Sequence, residues 1–250
     1  METSSKSSKT GRQFVAFLTA SATLAIATLV SASTSTQVKE LSPLVVPRTA
    51  HAATALTDGR ILITGGCDSA GNIVAVSEIF DPATETSTAG GTLTTPRVDH
   101  TATLLADGRV LVAGGNDGNG PVNSAEIFDG TGFHVLPTMG AARARHTATL
   151  LNNGTVLIAG GDDAGTAEIF DPTSGTFSSA LLAMAAPRIG HTATLFSDNN
   201  VDSVLLAGGN TDSMELFTPT DQKFTLDPKA MSAARTGHWA TALRCDRREE

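Results

Sequence analysis

The chain has 250 residues, a formal charge of −8, two cysteines and no tyrosine. An acidic balance without a basic patch excludes nucleic acid as a natural partner, and two cysteines are too few for a disulfide framework.

The first twelve residues carry Lys6, Lys9 and Arg12 against Glu2, a net +2 (three minus one), and Phe14 to Val30 is an uncharged, mostly apolar run followed by Ser31 and Ala32. A basic lead, an apolar core and small residues at the cut describe a secretory signal over residues 1–32, cleaved after Ala32. Left uncleaved, residues 14–30 would be the chain's one contact with a membrane, as an N-terminal anchor. No cysteine near the cut offers a lipid attachment point. Removal of the segment leaves −10 (−8 minus +2). The expected location is secreted, periplasmic or cell-surface. Residues 33–40 read as a Ser/Thr-rich linker and Leu41 to Val46 as a fourth-strand remnant.

From residue 41 to the end one pattern recurs. Each repeat opens on a head, Arg-x-x-His, beginning at Arg48, Arg97, Arg143, Arg188 and Arg235, at separations of 49, 46, 45 and 47. A period of this size signals a ring or stack of similar units, none of which buries its apolar face alone. After the head comes a short alternating run (Thr101 to Leu105), then Asp107-Gly108, a second apolar run (Val110 to Ala113) and the pair Gly114-Gly115. Asp-Gly between two β-type runs predicts a two-residue hairpin with positive φ at both centres; Asp58-Gly59 and Asn153-Gly154 repeat it, and the fourth repeat has a longer loop, Ser197 to Ser203. A third strand follows at Ser77, Ala125, Ala167 and Met214, and a weaker fourth carries an apolar pair, as in Phe133 to Leu136 and Phe224 to Leu226. Four short strands per unit make one propeller blade.

The glycine pair, the period and the aromatic third strand resemble kelch repeats, as in bacterial secreted kelch proteins and galactose-oxidase-like propellers, over residues 41–245. The resemblance implies an all-β, kelch-type β-propeller of four-stranded antiparallel blades: four complete blades plus partial terminal strands, with a fifth repeat truncated after its start at 235. It departs from the usual kelch pattern in placing Phe80, Phe128, Phe170 and Phe217 where the third strand carries Tyr, and Phe133, Phe177 or Phe224 in place of a fourth-strand Trp. Closure has three options: a tight four-bladed ring, an open arc that needs a partner, or part of a longer propeller. The last is favoured because the residues after Leu243 (RCDRREE) break the pattern where a turn and second strand are due.

Few residues ask for chemistry. His51, His100, His146, His191 and His238 are repeat-equivalent, so they are expected one per blade, too dispersed for one metal ion, with both ring nitrogens bonded to backbone groups between blades. His134, outside the pattern, reads as a surface residue. The head arginines are expected to pair with Glu78, Glu126, Glu168 and Glu215 of neighbouring blades. Asp68, Asp117, Asp162, Asp163 and Asp212 follow the glycine pairs and read as turn formers rather than cation ligands. Cys67 and Cys245 are either free or bridged if closure brings the ends together. The resemblance to galactose-oxidase-like proteins would imply a copper radical site, for which the required tyrosine is missing. No asymmetric acid-base cluster supports a sialic-acid epimerase, and Trp239 is the single tryptophan that could face a sugar.

The expected function is therefore an exported binding or interaction scaffold with a protein or glycan ligand at its loop face. No catalytic, cofactor-binding or metal residue is assigned, and no cofactor is expected. The alternatives are a carbohydrate-active enzyme, oxidase-like or epimerase-like, whose site lies in blades outside this sequence, and a non-functional propeller fragment. Unpaired blades would favour self-association.

Overall fold

The computed structural model describes residues 14–16, 28–30, 44–198 and 201–241. Most of the signal or anchor segment, the linker 33–40, Cys245 and the tail beyond residue 241 lie outside the described residues. Within the first segment, β1 (Phe14–Ala16) pairs antiparallel with β2 (Thr28–Val30). Among the described residues no helix is long and apolar enough to cross a membrane.

Four antiparallel sheets follow in chain order. Blade one is β3 (Ala52–Ala55), β4 (Ile61–Thr64), β5 (Val76–Asp81) and β6 (Thr86–Thr92); blade two is β7 (Thr101–Leu104), β8 (Val110–Ala113), β9 (Ala125–Phe128) and β10 (Phe133–Val135). Blade three is β11 (Thr147–Leu150), β12 (Val156–Ala159) and β13 (Thr166–Asp171), with its outer strand split into β14 (Thr176–Phe177) and β15 (Leu182–Ala183), both paired with β13. Blade four is β16 (Thr192–Asp198), β17 (Val201–Ala207), β18 (Met214–Thr218) and β19 (Lys223–Leu226). The chain is thus an all-β propeller of four-stranded blades.

Blades pack face to face through the second and third strands. Leu62, Ile79 and Leu93 meet Val110, Val112 and Phe128 between blades one and two, and the equivalent set, Leu111, Ile127 and Met139 against Val156, Ile158 and Phe170, joins blades two and three. Leu157, Ile169 and Met184 against Val204, Leu206 and Phe217 join three and four. Each of these aromatics also touches its own outer strand, with ring centroids 5.1 Å apart for Phe128–Phe133, 5.0 Å for Phe170–Phe177 and 4.9 Å for Phe217–Phe224. Such pairs contribute about 0.5–1.5 kcal/mol beyond burial. Blade one lacks this pair, because Ser87 stands opposite Phe80. The inner strands β3, β7, β11 and β16 pack in succession, whereas β16 does not lie against β3 in the same way. Among the described residues the four blades therefore form an open arc rather than the tight ring among the closure options.

Three local expectations need correction. The hairpin after the first strand has three loop residues: Leu105 N–H donates to Arg109 O at 2.8 Å and Gly108 N–H to Leu105 O at 3.1 Å. Positive φ is confined to the glycine (Gly59 +87°, Gly108 +88°, Gly154 +86°), and Asp58, Asp107 and Asn153 instead accept the amide two residues on. This is a tight turn closed by a left-handed glycine, the common three-residue alternative to the two-residue turn. In blade four, strand extends into the stretch read as a long loop, with Ser197 opposite Asp202 and Asp198 opposite Val201. Residues 44–46 are not an outer strand. Leu44 packs on Ile61, Ile63 and Phe80, and the Val45 and Val46 amides donate to the Glu78 carboxylate.

Candidate functional site

The heads, the glycine pairs and the loops after them share one edge of the arc, joined by short bridges such as Thr49 to Cys67 and Val98 to Asn116. What each repeat buries there is a fixed framework. Arg97 is fully buried; its Nη1 donates to Gly114 O (2.7 Å) and Ser124 O (3.0 Å), its Nη2 to Glu126 Oε1 (2.9 Å) and its Nε to Thr95 O (3.1 Å). Glu126 in turn accepts the amides of Thr94 and Thr95 in the segment arriving from the previous blade. Arg48–Glu78, Arg143–Glu168 and Arg188–Glu215 repeat the pair at 2.6, 2.7 and 2.8 Å. The pairing lies within one repeat, not between neighbouring blades as the sequence suggested. A buried charge needs a partner and hydrogen bonds for its remaining donors, and the strand order puts the glutamate of the third strand beside its own head.

The histidines also differ from expectation. Nε2 of His146 lies 2.9 Å from Thr101 Oγ1 of the preceding blade, and His191–Thr147 and His238–Thr192 repeat this contact at 2.9 and 3.2 Å. His100 reaches Thr64 instead, at 2.9 Å. The reason is an exchange across one cross-strand pair: blade one has Ala52 opposite Thr64, whereas blade two has Thr101 opposite Ala113. The hydroxyl moves to the next strand and the contact is kept. Nδ1 of all five repeat histidines is buried without a hydrogen-bond partner. Burial, reinforced by the head arginines, lowers the pKa of His100 to about 3 and of His191 to about 4, and holds His146 well below its ordinary value, so these imidazoles are neutral at pH 7. The first glycine of each pair lets the next blade's imidazole approach. A Cβ on Gly114 would stand 2.5 Å from Arg143 O and 2.7 Å from His146 Cε1.

The acidic loop residues act locally. Asp68 accepts the amides of Ala70 and Asn72, Asp117 that of Asn119, and Asp162 that of Thr166; Asp163 and Asp212 are exposed. No group of His, Cys, Asp or Glu able to hold a metal ion occurs among the described residues. His134 pairs with Asp129 on the surface at 2.8 Å, and Cys67 is a half-buried free thiol. On the opposite edge, a cleft of about 380 Å³ is lined by Asp107, Arg109, Asn153 and Asp171. Its arginine is already bound to Asp107 at 2.6 Å and to Pro172 O at 2.9 Å.

Two features of the loop edge differ from repeat to repeat. The residue before each head histidine has a left-handed backbone in every repeat: Ala50 φ 52°, Asp99 φ 54°, Arg145 φ 55°, Gly190 φ 67° and Gly237 φ 65°. Backbone bonds link these sites from blade to blade, Arg145 N–H to Asp99 O at 2.9 Å and Gly190 N–H to Arg145 O at 2.8 Å. Their side chains differ, and Asp99 and Arg145 are exposed. Arg145 lies over Gly190, where a Cβ would be 3.1 Å from its Nη2. The second feature is loop length. Residues 67–75 and 116–124 form long loops in blades one and two, against 162–165 and 210–213 in blades three and four. The two long loops touch, with Ile73 Cδ1 3.3 Å from the Cβ position of Gly118. The signal was the unequal distance from glycine pair to third strand.

A family model for the kelch motif matches residues 48–94. Among solved structures the chain is similar to that of YjhT, with a TM-score of 0.64 and 13% identity over 82% of this chain and 77% of that one. No curated protein matches the chain.

Proposed function

We propose that this chain, a β-propeller of kelch repeats, is an exported scaffold that binds a protein or glycan ligand on its loop edge and carries no catalytic centre of its own. The observation behind this reading is a division of labour. The repeat-equivalent Arg, Glu and His residues are enclosed in hydrogen bonds that hold the blades, while the residues that vary from repeat to repeat face solvent on one edge. Packing obeys repeat symmetry, and a ligand site departs from it. The departure is concentrated in blades one to three: two long loops side by side, with Asp99 and Arg145 at the neighbouring heads. Small polar groups such as Asn72, Asn119 and Asn123 suit hydrogen bonding to a polar ligand. Export rests on the pattern of residues 1–32.

The test is labelled full chain on a glycan array and as bait in its own culture supernatant, beside two variants. One replaces residues 67–75 with the short 162–165 loop, and the other is Arg145→Ala. Binding that both variants lose supports the reading. No retained ligand, or binding indifferent to the loop exchange, contradicts it.

A further inference from the structure

Two Asn-Gly pairs occur in the sequence, Asn119-Gly120 in the long loop of blade two and Asn153-Gly154 in the first hairpin of blade three. In such a pair the next backbone nitrogen can attack the asparagine carboxamide with little hindrance, because glycine has no Cβ to crowd the approach and turns freely about φ. The two pairs share this chemistry, and the fold treats them oppositely.

Asn153 is held at both reacting ends. Its Oδ1 accepts the Thr155 N–H at 3.0 Å and the Thr155 hydroxyl at 2.8 Å, and the Gly154 N–H donates to Leu151 O at 2.9 Å. Ring closure there requires the hairpin to open. At Asn119 neither end is held. The residue is exposed, and neither its carboxamide nor the Gly120 N–H finds a hydrogen-bond partner among the described residues. A Cβ built on Gly120 would meet nothing within 4 Å, so the surroundings are open. The turn is tied only through Asp117, whose N–H donates to Gly120 O at 3.3 Å and whose Oδ1 accepts the Asn119 N–H at 2.8 Å. No other asparagine precedes a glycine, and those of the same edge, Asn72 and Asn123, are tied through Nδ2 to Asp68 and to Met139 O.

We propose that Asn119 is a site of spontaneous modification in the folded protein, passing through a succinimide with water as co-reactant and ending as aspartate or isoaspartate. The Gly120 nitrogen, its proton taken by solvent base, bonds to Asn119 Cγ; the Cγ–Nδ2 bond breaks, and Nδ2 leaves as ammonia with a proton from water. Water then opens the ring. Attack at Cγ restores the main chain with an aspartate, and attack at the main-chain carbonyl leaves the chain running through Cγ as isoaspartate. Nothing is oxidised or reduced. Either product puts a carboxylate beside Asp117, and isoaspartate also lengthens the main chain by a methylene inside the turn that packs near Ile73, whose Cδ1 lies 3.3 Å from the Cβ position of Gly118. A polar ligand on this edge would meet a negative charge in place of a neutral amide; that consequence rests on the function proposed above, whereas the modification does not.

The experiment incubates the full chain in mildly alkaline heavy-oxygen water, folded and in urea, and follows label uptake by peptide mass spectrometry, for wild type and Asn119→Gln. An isoaspartyl carboxyl methyltransferase with a labelled methyl donor counts isoaspartate. In folded protein Asn119 should take up label about tenfold or more faster than Asn153, which must wait for local opening, whereas in urea the two pairs react alike. Asn119→Gln, which would need a six-membered ring, should lose the fast isoaspartate signal and melt as wild type does. Equal rates at the two pairs in folded protein would overturn the proposal, as would a fast isoaspartate signal that survives Asn119→Gln. No ligand enters any arm, so this failure is distinct from failure of the binding function.

Discussion

The heads at Arg143 and Arg235 share a motif and a seat, yet one is framework and the other lies open to solvent. Arg143 is enclosed by Gly160 O, Thr166 O and Glu168 of its own blade, and Arg235 has no such blade among the described residues. A head's role is therefore decided by the third strand some 25 to 30 residues later, as in the separations of 25 for Arg143–Glu168 and 30 for Arg48–Glu78, and not by its own four letters.

Breaking the enclosed head should have the largest effect. Glu168→Ala leaves Arg143 buried without its carboxylate and releases the Gly140 amide, at a cost of roughly 3–5 kcal/mol in urea unfolding. Arg235→Ala should stay within about 0.5 kcal/mol for dilute protein. Equal losses would erase the distinction. Next comes the glycine seat. Gly114→Ala combines a left-handed φ of +59° with contacts of 2.5 and 2.7 Å, and should destabilise by about 3 kcal/mol. Gly130→Ala, also left-handed at +93° but with open space around it, should cost only about 1–2 kcal/mol. A Gly114→Ala protein as stable as Gly130→Ala would mean that the next blade's imidazole is not fixed against the pair.

Acid sharpens the comparison further. The folded values of His100 and His191, about 3 and about 4, lie below the unfolded value of 6.5. The unfolded chain therefore takes the proton first. Stability is fully present above about pH 6.5 and falls as pH drops toward the folded values, by about 1.4 kcal/mol per pH unit for each imidazole. Asp68 and Asp107 are held below the usual carboxylate range by Asn72 and Arg109 respectively. His191→Gln should reduce the slope between pH 6 and pH 4 by about one imidazole's share; an unchanged slope would place the proton uptake elsewhere. The smallest effect belongs to the exchanged threonine. Thr64→Ala should cost about 1 kcal/mol by removing the hydroxyl from His100, and Ala52→Thr in that background should restore it, as a double-mutant cycle would show.

Much of this was legible. The period, the Asp-Gly and Gly-Gly punctuation and the third-strand phenylalanines specify blades because they are local chemistry repeated in phase. The partner of each arginine was not, since Glu126 is nearer in sequence to Arg143 than to Arg97, with which it pairs, and strand order alone decides between them. The Thr64 substitute for Thr101 was hidden because cross-strand neighbours lie far apart in sequence. Arg145 was overlooked as one variable letter inside a motif, although its backbone conformation is shared by all five heads.

The most direct measurement is hydrogen exchange at the amides of Gly115 and Gly209, which donate to head carbonyls with the same 2.8 Å geometry. Local stability governs exchange. The account predicts that Gly115 exchanges only with global unfolding, while Gly209, whose head is not enclosed by a blade among the described residues, exchanges more quickly. Equal protection of both amides in dilute protein would contradict it, because the fifth head would then be held as firmly as the heads inside the arc.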